Sequence, residues 1–89
     1  MRWQVRITGS ANRNLARLPE RLRGEVAELI LDLRVEPRPE YSKALGRELQ
    51  GQRTIRVDGW RVIYTVNDDD QIVIILAIRP RGKNTYLGL

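Results

Sequence analysis

Two apolar rhythms follow one another along the chain. Trp3, Val5 and Ile7 alternate with Gln4 and Arg6, a period of two that predicts a strand ending at Thr8-Gly9-Ser10. The period then lengthens. Ala11, Leu15 and Leu18 suit a short helix, and Pro19 opens a longer one, at a position where its missing N–H costs nothing. Leu22, Val26, Leu29, Ile30 and Leu33 make that helix's core stripe. Glu36 precedes Pro37, which disfavours further helix. The polar segment 37–52, with Pro37, Pro39, Gly46 and Gly51, reads as a connecting loop. The rest is strand-like. Arg53 to Val57 is followed by the hairpin signal Asp58-Gly59, then Trp60 to Val66. The turn Asn67-Asp68-Asp69-Asp70 leads into the largely β-branched run Gln71 to Ile78, which suits a central strand. The expected fold is α+β: an N-terminal strand and a two-helix hairpin packed on one face of a mainly antiparallel four-stranded sheet. One domain, 1–89, accounts for the whole pattern.

Hairpin parity brings chemistry into view. A two-residue loop at Asp58-Gly59 pairs Val57 with Trp60 and Ile55 with Val62, so Arg56 lies opposite Arg61. Ile55, Val57, Trp60, Val62, Tyr64 and Val66 then face the helices, and Thr54, Arg56, Arg61, Ile63 and Thr65 face away. Like charges opposed across a ladder destabilise a sheet unless an anion or water screens them. A three-residue loop, Asp68 to Asp70, would pair Tyr64 with Ile74 and Arg61 with Ala77. That register sends Ile72, Ile74, Leu76 and Ile78 to the core and puts Ala77 and Arg79 on the face of Arg61. Pro80 ends the strand, bringing Arg81, Lys83 and Tyr86 near the same end. Guanidiniums and a phenol around a small alanine fit a phosphodiester with a stackable base.

Composition narrows the chemistry further. The 89 residues include no cysteine and no histidine, so thiolate nucleophiles, zinc sites and histidine bases are excluded. No metal or other cofactor is expected. Sixteen basic residues outweigh eleven acidic ones for a net charge of +5, which favours a polyanionic partner. Consecutive acids at Asp68 to Asp70 suit solvated turn chemistry better than a metal site. The N-terminal segment lacks the apolar run of a signal peptide, and the longest apolar run, Ile72 to Ile78, is too short to span a bilayer. A cytoplasmic location with no membrane partner is expected.

The run Thr54-Ile55-Arg56-Val57-Asp58-Gly59-Trp60-Arg61-Val62-Ile63-Tyr64 resembles the hairpin of the RelE/ParE toxin superfamily. Arg17-Leu18-Pro19, Pro37-Arg38-Pro39, Lys43-Ala44-Leu45, Ile78-Arg79-Pro80-Arg81 and Tyr86 fall where that superfamily has its helix junction, loop, lysine-leucine pair, closing strand and tail. The resemblance implies a RelE-like fold and the toxin of a type II toxin–antitoxin system. Its RelE branch implies an endoribonuclease that cleaves mRNA in the ribosomal A site and is silenced by a cognate antitoxin. Residue by residue it implies catalytic roles for Arg56, Arg61, Arg81 and Tyr86, with Lys43, Thr54, Arg79 and Lys83 binding substrate. The chain departs from the pattern at Thr54, where some members carry lysine, and it lacks the glutamate–histidine pair of others; no general base follows from the motif. Two other readings stay open. One is a ParE-like inhibitor of DNA gyrase, which needs a protein-binding surface and no phosphate site. The other is an inactive nucleic-acid-binding member.

Overall fold

The computed structural model describes residues 3–46 and 51–80. Strand β1 (Gln4–Ile7) leads into helices α1 (Gly9–Ala16) and α2 (Glu20–Leu33). Strands β2 (Ser42–Ala44), β3 (Gln52–Val57), β4 (Trp60–Asn67) and β5 (Ile72–Pro80) follow. They form one sheet in the order β1-β5-β4-β3-β2. β1 runs parallel to β5, and every other neighbouring pair is antiparallel.

The helices form where the pattern expects them. Pro19 occupies the N-cap of α2, and its carbonyl accepts from the Leu22 and Arg23 amides at 2.9 and 3.0 Å. α2 buries Leu22, Val26, Leu29 and Leu33, with Ile30 half-buried beside them. This stripe shares one core with Ala11, Leu18, Ile55, Val62, Tyr64, Val73, Ile75 and Ile78. Tyr64 is fully buried, and its hydroxyl donates to the Pro37 carbonyl at 2.8 Å, so the ring's one polar atom is satisfied.

Two expectations need correction. The first is the strand count, five rather than four. Part of the segment read as a loop is β2, with Ser42 opposite Ile55, Lys43 opposite Thr54 and Ala44 opposite Arg53. The strand rests on polar contacts, so no apolar alternation announces it. Ser42 Oγ donates to the Pro39 carbonyl at 2.7 Å and accepts from Arg53 Nε and Nη2 at 3.1 and 2.8 Å.

The second correction is the β4–β5 register. Asn67 pairs with Ile72, so the loop holds Asp68, Asp69, Asp70 and Gln71, with Gln71 at φ 55°. One residue more than expected flips the parity of the adjoining stretch. Val73 and Ile75 therefore enter the core, while Ile74 and Leu76 are only half-buried. A bulge then intervenes: Tyr64 pairs with Ile75 and Ile63 with Ala77, leaving Leu76 as the extra residue. Beyond it Ile78 returns to the core. Arg61 faces Arg79 rather than Ala77, although both Ala77 and Arg79 share its face as expected.

Residues from the start of α1 satisfy the bulge. The Thr8 hydroxyl donates to the Leu76 carbonyl at 3.0 Å and accepts the Ala11 amide at 3.1 Å as the α1 N-cap. Asn14 Oδ1 accepts the Ile78 amide at 3.0 Å. Thr8→Ala removes the cap and strips the Leu76 carbonyl of its donor. We expect it to cost about 1–3 kcal/mol in chemical denaturation, with Thr8→Ser recovering most of the loss.

The acidic turn is engaged locally. Asn67 Oδ1 accepts the Asp70 amide at 3.0 Å. Arg38 forks onto both carboxylate oxygens of Asp68 at 3.0 and 2.8 Å, tying the stretch after α2 to this turn. That hydrogen bonding holds the Asp68 carboxyl below the usual carboxylate range. Its contribution to stability is present above the unfolded-state pKa and is lost as pH falls through the lower folded-state value.

Candidate functional site

The sheet face turned away from the helices is built in rows, because residues two apart on a strand share a face and paired residues lie side by side. Arg56, Arg61 and Arg79 form one row across β3, β4 and β5. Lys43, Thr54, Ile63 and Ala77 form the next, across β2 to β5. The second row is packed in its middle: Thr54, Ile63 and Ala77 are 6%, 0% and 1% exposed. The arginine row thus stands beside a dry apolar floor, where electrostatic interactions are stronger than in open water. The Asp58-Gly59 turn places it, with Asp58 itself at φ 56°.

Four arginines elsewhere on the molecule find acceptors. Arg21 bonds to Glu25 and Asp58, Arg23 to the Leu18 carbonyl, Arg38 to Asp68 and Arg53 to Ser42. The row does not. Among the described residues, the buried side-chain polar atoms without a partner are Gln52 Oε1, Thr54 Oγ1, Arg61 Nη1 and Arg79 Nε. By strand parity all four belong to this face. Each unmet buried group costs about 1–3 kcal/mol, and more when charged. Cross-strand like charges at Arg56–Arg61 and Arg61–Arg79 add about 0.2–1 kcal/mol each. A sheet selected for stability alone would not carry this arrangement; an anion laid on the row answers both costs.

Sequence-expected residues are distributed as follows. Lys43, Thr54, Arg56 and Arg61 line one groove of about 350 Å³ together with Glu40, Tyr41 and Ser42. That size lies at the low end of small-ligand sites, about 300–1,000 Å³. Arg79 adjoins Arg61 in the ladder and also lines a second cleft, with Asn14, Arg17, Trp60, Ile78 and Pro80. Arg81, Lys83 and Tyr86 lie outside the described residues. The sequence singles out no role for Glu40, and it marks Arg17 only as part of the helix junction. Glu40 reaches the groove because β2 folds back along β3, and Arg17 reaches the cleft because α1 lies beside the far end of β5. Glu40 makes no ion pair with a described cation. Among the described residues, no group of three or more carboxylates could hold a metal ion.

Residues 5–85 match the family model described as the ParE toxin of type II toxin-antitoxin system, parDE. The chain is 37% identical over 83 residues to Toxin RelG of Mycobacterium tuberculosis, covering 92% of this chain and 94% of that protein. It is 30% identical over 82 residues to Toxin RelE of the same organism, covering 92% of this chain and 84% of that protein. Among solved structures, the toxin in the RelBE2 toxin–antitoxin complex of M. tuberculosis superposes with a TM-score of 0.81 at 35% identity, over 91% of this chain and all of that one. The archaeal RelE–RelB complex of Pyrococcus horikoshii matches with a TM-score of 0.81 at 29% identity, over 93% of this chain and 99% of that one.

Proposed function

The chain belongs to the ParE toxin family of type II toxin–antitoxin systems and is a toxin of the RelE type, and from that premise we propose that it is a metal-independent, ribosome-dependent endonuclease of mRNA. The observation that carries this reading is the arginine row with its unpartnered buried donors, Arg61 Nη1 and Arg79 Nε. A protein that only docked on gyrase would have no use for uncompensated guanidiniums over an apolar floor.

In this reading a phosphodiester of the mRNA lies across the row. The ribose 2′-oxygen attacks the adjacent phosphorus, the P–O5′ bond breaks with the departing 5′-oxygen taking a proton from water, and a 2′,3′-cyclic phosphate remains. Arg61 and Arg79 stabilise charge growing on the non-bridging oxygens, and Arg56 holds the phosphate or shields the leaving oxygen. Among the described residues the one carboxylate lining the groove is Glu40, which we assign to take the 2′-OH proton. Arginine cannot, since it stays protonated. Lys43 and Thr54 border the strand. Arg81 and Tyr86 keep the roles their sequence positions imply, beside Lys83 as a phosphate contact. The ribosome supplies alignment that so small a site supplies poorly alone.

The antitoxin complexes of the two solved relatives support a cognate antitoxin for this chain. No helix among the described residues is long and apolar enough to cross a membrane, and the ribosome as target places the proposed activity in the cytoplasm.

The decisive experiment induces the protein in cells, with and without the neighbouring small open reading frame. It maps mRNA 5′ ends and assays gyrase-linked DNA breaks in the same cultures. We expect cuts within translated codons, no breaks, and rescue by the co-expressed partner. DNA breaks without mRNA cuts would transfer the reading to gyrase.

A further inference from the structure

The second cleft is not needed to hold the scissile phosphate, yet its chemistry is one-sided. Its lining side chains are Asn14, Arg17, Trp60, Ile78, Arg79 and Pro80. The Asn14 oxygen is committed to the Ile78 amide, so its carboxamide offers only N–H donors to the cleft. Arg17 closes the C-terminus of α1 through its backbone, whose N–H donates to the Asn14 carbonyl at 3.1 Å. Its guanidinium is exposed and makes no hydrogen bond or ion pair. Arg79 also lines the cleft. Among the described residues no carboxylate lines the cleft, which favours an anion.

The fourth component is aromatic. Trp60 packs against the core but is only half-buried, and it pairs with Val57 on one side and Pro80 on the other. By strand parity Trp60 stands on the helix side of the sheet and Arg79 on the other, and both line the cleft together with Arg17. Arg79 belongs both to the row and to the cleft, so an RNA strand laid on the row reaches the cleft by passing round the β5 edge of the sheet. Two interstrand steps of about 4.8 Å make the row about 10 Å wide, and α1 lies beyond its β5 end.

We propose that this cleft is a second RNA subsite, holding a nucleotide that flanks the scissile step with its base on the Trp60 ring and its phosphate on Arg17. The inference rests on the reading of the arginine row as an RNA site. An acidic peptide could use the guanidiniums but would not call for a half-exposed indole in the same cleft, whereas a nucleotide uses both at once.

The test separates binding from cleavage. Binding of a fluorescent 2′-O-methylated tetranucleotide, which cannot be cut, is followed by anisotropy at several salt concentrations. The wild-type chain is assayed in parallel for cutting of mRNA on programmed ribosomes. Arg17→Gln, an exposed change, should weaken tetranucleotide binding roughly tenfold and lower the salt slope by about one. Trp60→Leu should also cost roughly tenfold, and should cost nothing further when the flanking nucleotide is abasic, since the partner of the ring is then already gone. Trp60→Phe keeps a ring in place should leucine disturb the fold. If both variants bind like the wild type while the wild type cuts programmed mRNA, the subsite is overturned and the nuclease reading stands. Dependence of binding on both residues without any cutting would do the reverse. Arg17→Gln weakening only the antitoxin complex would make the cleft a protein-docking surface and overturn the inference, as would no tetranucleotide binding by the wild type at low salt.

Discussion

Arg61→Ala should abolish toxicity while leaving the protein as stable as before, or more so. Both halves follow from where the side chain sits. It stands between Arg56 and Arg79 in the ladder, and its Nη1 is buried with no acceptor. Removing it relieves two like-charge pairs and one unmet donor, which together outweigh the packing lost with its aliphatic stem. We expect the free energy of unfolding to change by between zero and about +1 kcal/mol. Catalysis should respond in the opposite sense. One guanidinium aimed at a developing oxyanion is worth about 10²–10³ in rate, and the loss should fall on kcat more than on KM. Thermal denaturation and cutting of programmed mRNA, run on the same preparation, decide the matter. An unfolded variant would make Arg61 structural, and a stable, fully toxic one would remove the arginine row from the mechanism. Glu40→Gln offers the complementary reading: it should slow cutting strongly with little effect on binding, if its carboxylate takes the 2′-OH proton.

The row was legible because its register was overdetermined. Asp58-Gly59 fixes a two-residue loop, and Ile55, Val57, Trp60, Val62 and Tyr64 can only face the core, so Arg56 must meet Arg61. What the hairpin could not reveal is that Arg79 meets Arg61 directly, because this depends on a loop length and a bulge two turns away. Glu40 was hidden for a different reason. A three-residue strand containing serine, lysine and alanine has no hydrophobic alternation of its own; it forms because β3 offers an edge and Arg53 and Pro39 offer partners for Ser42. Trp60 was read as a core anchor, and one side of it is. That its other side opens on Arg17 follows from α1 lying against β5 beyond the end of β1, a tertiary placement made by Thr8 and Asn14.

The central strand shows where pattern reading stops and packing takes over, and it supports the largest expected loss of stability. Every residue from Ile72 to Ile78 is apolar, so hydrophobicity does not distinguish one parity from the other, and the loop decides. A three-residue loop would have buried Ile74; the four-residue loop buries Ile75, at 1% exposure, and leaves Ile74 half-buried opposite Thr65. The two isoleucines are adjacent and chemically identical, which makes them a matched pair. Ile75→Ala removes methyl groups from a closed core holding Leu33, Tyr64 and Val73 and should cost about 2–5 kcal/mol. Ile74→Ala removes the same atoms from a half-exposed site, where neighbours and water fill the space, and should cost about 1 kcal/mol or less. For a chain this small the larger figure is a substantial share of total stability. Ile75→Ala should therefore bring the urea midpoint down markedly with an unchanged slope, and toxicity should fall with the folded fraction rather than with any change at the arginine row. Equal losses from the two substitutions, or a larger one from Ile74, would place the strand in the other register and would separate Arg79 from Arg61.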